Sequence, residues 1–326
     1  MSNFDSILMG HARLQDRASY SRELIQKVKQ NLRVRPTCNR TDLCIYAAGS
    51  LARNETGKVS DLDLFFLSHC QPPRAHARII SRLGEIQIFA DLIRLNEDLG
   101  LEPFSGDGLY LKIHEVDDVI DGTGSSEDDS ENLFTTRLLL LLESTPLAGE
   151  LVYEDAINRV LDMYFRDGRG RKGFRPLFLL NDILRYWRTL CLNYERDRAV
   201  EGKPWWKRNL NLKFPRKLTV YSTVLTMIAS QMSTAEDFKA IVSMTPMKRL
   251  AFALDRMGDA SLEPSFSAVL DDYEAFLAAK SHQELAVPSS VDLADFSAKA
   301  QRFDDFLHAA LASPSLDKQL VRYVLI

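Results

Sequence analysis

Two short apolar runs stand early in the chain, at 43–48 and 62–67, and both are rich in residues that suit a strand. Before them, Tyr20, Leu24, Ile25 and Val28 recur at helical spacing and predict a helix over 15–32 that leads into a sheet. Residues 74–99 repeat the helical spacing, with Ile79, Ile80, Leu83, Ile86 and Phe89 as the expected inner stripe. A stretch rich in breakers at 103–108 predicts a turn, and 109–116 a further strand. From 132 onward the texture is helical almost throughout. Helices are expected over 132–145, 150–166, 176–198, 215–232, 235–242, 246–256, 266–280 and 296–312. The leucine run 138–142 reads as the core of one of them and is far too short to span a bilayer.

This order predicts an α/β (α+β) fold: a small mixed-sheet domain with an N-terminal helix over 1–122, then an all-helical domain over 132–326. Between them, 123–131 carries Glu127, Asp128 and Asp129 among small polar residues and predicts a solvated acidic linker.

The chemistry concentrates where the two apolar runs meet. The first run ends in Gly49-Ser50, with Arg53 shortly after, and the second opens on Asp61-Leu62-Asp63-Leu64. Side chains alternate along a strand, so Asp61 and Asp63 are expected on one face and Leu62 and Leu64 in the core. Two neighbouring carboxylates repel, and a hard divalent cation relieves the repulsion. Oxygen-only ligands suit magnesium, which takes one or two carboxylates plus substrate phosphates; manganese is the substitute. Gly49 allows close approach of backbone to ligand, and Ser50 and its neighbouring amides can bind phosphate oxygens. Arg53, one turn further, is placed to meet developing charge. Phosphoryl or nucleotidyl transfer needs such positioning and charge stabilisation and no covalent nucleophile.

The segment Gly49-Ser50-x-x-Arg53, followed by Ser60-Asp61-Leu62-Asp63-Leu64, resembles the DNA polymerase β-type nucleotidyltransferase superfamily. It is closest to the branch of PII-protein uridylyltransferases and related nucleotidyltransferases. The specific likeness covers about 25 residues, and a weaker one continues through Phe134 to Ser144. The resemblance implies that Gly49 and Ser50 hold a nucleoside triphosphate and that Asp61 and Asp63 hold magnesium. Many members carry a third carboxylate on a later strand. Here Asp107 and Glu115 are the candidates, with His114 as a rival base.

The helical half carries its own polar features. Asp182 and Arg185 lie three apart on one helix, alongside Asn181 and Arg188, and read either as an internal brace or as a face toward a nucleotide. The stretch 203–217 holds six basic residues and no acid, interleaved with Trp205, Trp206 and Phe214. That mixture fits phosphate contacts with stacking on a base, and Lys213 and Arg216 are spaced for a triphosphate clamp. A second basic cluster spans 166–175.

Composition bounds these readings. The 326 residues are 45% hydrophobic and 26% charged, ordinary globular values, and the net charge of −4 argues against a nonspecific polyanion binder. Cys38, Cys44, Cys70 and Cys191 show no metal spacing and no disulfide framework, which predicts a cytoplasmic protein; no signal peptide or membrane partner is expected. The sequence therefore predicts a magnesium-dependent nucleotidyltransferase acting from ATP or UTP onto a hydroxyl of a protein or an RNA. The alternatives are a catalytically silent nucleotide- or partner-binding module, and a defence or toxin–antitoxin enzyme that acts on tRNA or makes oligonucleotide signals.

Overall fold

The computed structural model describes residues 3–69, 78–104, 108, 111–168, 171, 173–198, 205–281 and 290–325. The fold is mixed α/β, and the chain divides into two compact units. One comprises Asp16–Arg166. The other comprises Met1–Gln15 together with Asp167–Ile326.

The first unit is built on a four-stranded sheet, β1 (Leu43–Ala47), β2 (Leu64–Ser68), β3 (Ile113–Glu115) and β4 (Thr145–Ala148), in the order β3-β2-β1-β4. Strand β1 pairs antiparallel with both β2 and β4, so all five of its residues are buried and its sequence is continuously apolar. Strands β2 and β3 run parallel, with Ser68 opposite Glu115. On one face of the sheet, Leu43, Ile45, Leu62, Leu64 and Phe66 pack with Val28 and Leu32 of the helix Ala12–Arg33 and with Ile88, Leu92 and Leu95 of the helix Arg82–Leu99. On the other face Tyr46 stacks on Phe65 at 5.6 Å and lies 6.2 Å from Tyr153. Its hydroxyl donates to the carbonyl of Thr136. The helices Leu133–Leu142 and Glu150–Phe165 therefore cover that side.

Several expectations need correction. The helix predicted over 74–99 begins at Arg82, where the Ser81 hydroxyl accepts from the Gly84 amide. Its inner face is Glu85, Ile88, Leu92, Leu95 and Asn96, while Leu83 is 75% exposed and Ile86 is also exposed. The apolar stripe was misplaced because Glu85 occupies an inward position: its carboxylate accepts the Ile113 amide at the open edge of β3. The segment 123–131 is exposed at most positions, as expected, but it lies within the sheet unit and not between the units. It holds the helix Ser126–Ser130, and the fully buried Asp128 makes a two-pronged pair with the equally buried Arg137, at 3.0 and 3.1 Å. Arg137 also donates to the Val119 carbonyl and to the Tyr164 hydroxyl. This segment belongs to the sheet unit, so the division lies at Arg166/Asp167 rather than at 123–131.

The second unit is helical among its described residues. Its core includes an aromatic cluster in which Phe214 stacks on Phe276 at 4.9 Å, with Tyr273 and Phe303 beside it. The helix expected from 215 begins at Trp205 and continues to Ala229 through a π-helical turn at Leu212–Arg216. Proline lacks an amide hydrogen and clashes with the preceding turn of an α-helix, and the wider turn accommodates Pro215. No helix among the described residues is long and apolar enough to cross a membrane.

Candidate functional site

The connection from β1 to β2 brings the Gly-Ser and Asp-x-Asp pairs together. Strand β1 stops at Ala47, and Gly49–Ala52 forms a single helical turn. The Ala48 amide donates to the Asp63 carbonyl at 2.9 Å, one step beyond the Ala47–Leu64 pair, so the β1–β2 ladder itself joins the glycine turn to the acidic pair. Gly49 adopts a φ of +63°, which favours glycine. A methyl group at Gly49 would overlap Asp63 Oδ2 and lie 3.0 Å from its Cγ, so the Asp63 carboxylate rests directly on the glycine. Leu62 and Leu64 are buried in the core while Asp61 and Asp63 stay half-buried, the alternation that the sequence predicts. A glycine where a side chain would displace a carboxylate, followed by an amide-bearing turn, is a donor set that suits a hard divalent cation shared with phosphate oxygens.

The loop between the two pairs is held from beneath. The Thr56 amide donates to Ser21 Oγ on the helix Ala12–Arg33, and the guanidinium of Arg17 packs on Gly57, where a methyl would meet it. Ser60 Oγ accepts the Gly57 amide. Ser50 is buried, with its hydroxyl 3.5 Å from that of Thr56.

Arg53 differs from the expectation. Its guanidinium is only 4% exposed, donating to Glu55 at 2.9 Å and to the wholly buried Glu143 at 2.9 Å. A guanidinium committed to two buried carboxylates ties the Gly49–Ala52 turn to the end of the helix Leu133–Leu142; it does not serve as a phosphate ligand. Glu55 and Glu143 were missed in the sequence, although Glu143 lies in the stretch of weaker family likeness.

Of the candidates for a third acid, only Glu115 falls among the described residues. Glu115 stands opposite Ser68, at the far end of β2 from Asp63, about 16 Å away at strand spacing. Its carboxylate accepts the Ile79 amide. His114, opposite Leu67, is removed to a similar degree. Asp107 and Cys70 lie outside the described residues.

The remaining candidates belong to the helical unit. Asp182 is buried with Arg185 3.9 Å away, which supports the brace, while Asn181 is exposed. Lys213 and Arg216 are half-buried in the π-helical turn. Phe214 is buried in the aromatic cluster and is unavailable for stacking on a base. Lys217 is buried against Asp304, and Arg175 pairs with Asp317 at 2.6 Å, so part of the basic stretch is internal structure. Compared with known proteins, the chain matches no protein-family model and no curated protein sequence.

Proposed function

We propose that this protein is a magnesium-dependent nucleotidyltransferase whose site is the junction of Gly49-Ser50 with Asp61 and Asp63. The observation that carries the reading is the contact between the Asp63 carboxylate and Gly49, backed by the Ala48–Asp63 main-chain hydrogen bond. Asp61 and Asp63 would hold the divalent cation, and the amides of the Gly49–Ala52 turn would meet the donor's phosphates. When bound, the cation supplies charge stabilisation for the phosphates. The chain's own contribution is placement: the ladder fixes the spacing of acids and turn, and the Arg53–Glu55–Glu143 network stiffens the turn. An acceptor hydroxyl oxygen forms the new bond to the α-phosphorus and gives up its proton to solvent, the bridging bond to the β-phosphate breaks, and pyrophosphate leaves. Protein and RNA hydroxyls are the acceptor classes of first choice.

The test is metal-dependent nucleotide binding and pyrophosphate release from labelled ATP, UTP, GTP and CTP, comparing the natural chain with Asp61→Asn/Asp63→Asn. Loss of both signals in the double variant, with unchanged melting, is the expected result. Equal metal-dependent binding in the double variant refutes the site.

A second reading is a binding module that retains the site without turning over. The internal pairing of Arg53 and the distance of Glu115 from Asp63 favour it. It predicts metal-dependent nucleotide binding that depends on Asp61 and Asp63, with no nucleotide transferred to protein or RNA acceptors and no pyrophosphate released.

A further inference from the structure

The helix Arg82–Leu99 borders a cavity that the proposed chemistry does not use. The helix ends on Gly100 at φ +62°, and the Leu101 amide turns back to the Asn96 carbonyl at 2.9 Å. That cap folds the following segment against the helix. A cavity of about 450 Å³ opens between them, walled by Phe89, Ile93, Leu101, Pro103, Phe104 and Leu111. All of these residues belong to the sheet unit. Phe89, Leu101, Phe104 and Leu111 pack on its core with one side only, and Ile93 is 49% exposed. Two charges stand at the margin, Arg82 and Glu97, one of each sign, and Arg82 is engaged by Glu85. The cavity has apolar walls and no net charge to satisfy.

Asn96 supplies the independent observation. It lines the same cavity and is 5% exposed. Phe89, Ile93 and Asn96 share one helical face by their spacing. The Asn96 Nδ2 donates to the Glu102 carbonyl at 3.1 Å, whereas its Oδ1 is buried and accepts no hydrogen bond among the described residues. Buried acceptors are normally partnered. The bond to Glu102 accounts for the donor end of this carboxamide and leaves the acceptor end unexplained. Apolar walls with a single placed polar group, at this volume, are the form that small-molecule sites take. The unmet oxygen calls for a donor, and the balanced margin calls for an uncharged one. The two phenylalanine rings favour a flat partner.

We infer that this cavity binds a neutral, flat apolar molecule with one N–H or O–H donor, of the indole or phenol class, whose donor is accepted by Asn96 Oδ1. The inference stands apart from the nucleotide reading, because none of these groups lies in the 49–63 segment.

The experiment follows the methyl resonances of Leu101 and Leu111 in the full chain. It is titrated with indole and, separately, with benzothiophene, which keeps the fused ring and lacks the N–H. Phenol against toluene repeats the comparison for an O–H donor. Indole or phenol is expected to shift the methyls saturably, with its donorless counterpart about tenfold weaker. Asn96→Leu should erase that preference. Ile93→Glu, at a half-exposed position on the cavity wall, should abolish the saturable shift, and it serves if Asn96→Leu folds poorly. Absence of a saturable shift with both indole and phenol, a preference that survives Asn96→Leu, or a shift undiminished by Ile93→Glu overturns the inference. So does equal affinity for donor and donorless compounds in the natural chain, the result expected if Asn96 only braces the helix end.

Discussion

Gly49→Ala separates the backbone's contribution to the site from that of the carboxylate. The new methyl meets two problems. The first is conformational: at φ +63° a residue with a Cβ pays about 1–2 kcal/mol. The second is steric: the methyl overlaps Asp63 Oδ2 and approaches Cγ to 3.0 Å. Carbon contacts are comfortable only from about 3.5 Å, so the carboxylate must swing aside by roughly an ångström. Because the obstructing atom ends a half-buried side chain, rotation relieves the overlap cheaply in stability. The same rotation is costly in function, since an ångström of misplacement is worth about 10²-fold in rate. Stability should therefore fall by about 1–2 kcal/mol, and metal-dependent nucleotide transfer or binding by about two orders of magnitude. Urea denaturation gives the first quantity and metal titration in the presence of nucleotide the second. Repeating Gly49→Ala in an Asp63→Ala background should leave the stability loss in place, because the strain is in the backbone. A stability loss that disappears in that background refutes the conformational term. Unchanged metal-dependent binding in Gly49→Ala alone refutes the placement of Asp63 in the site.

Other substitutions test the surrounding structure. Arg53→Met strands Glu55 and Glu143 in a buried place and should cost about 3–5 kcal/mol in urea denaturation, whereas a loss below about 1 kcal/mol would show the pair to be dispensable. Asp128→Asn should destabilise the sheet unit by a similar amount by leaving the buried Arg137 uncompensated; a surface-like effect would restore the solvated-linker reading. The His114 pKa of about 4 lies below its unfolded value of about 6.5, so its contribution is fully present above pH 6.5 and is lost as pH falls toward 4. His114→Gln should therefore flatten the stability–pH curve between those limits by about 3 kcal/mol, and parallel curves would contradict the burial of a neutral ring.

What the sequence determined was local and short in range. The apolar runs at 43–48 and 62–67 became strands because continuous burial requires such runs, and the alternation of Asp61, Leu62, Asp63 and Leu64 alone predicted which residues enter the core. The helix Ala12–Arg33 and the largely buried Leu133–Leu142 were equally legible from spacing. Tertiary structure decided which charges are spent internally. Arg53 looked like a phosphate ligand until Glu143, ninety positions away, closed on it. Asp128 looked solvated until Arg137 buried it, and Glu85 entered a helix's inner face because an edge strand needed an acceptor. The parallel register of β2 and β3, which periodicity does not encode, carried Glu115 away from Asp63. A sequence displays which groups are charged. Whether a charge faces solvent, a ligand or a buried counter-ion depends on contacts between residues far apart in the chain, and these form only when the layers pack.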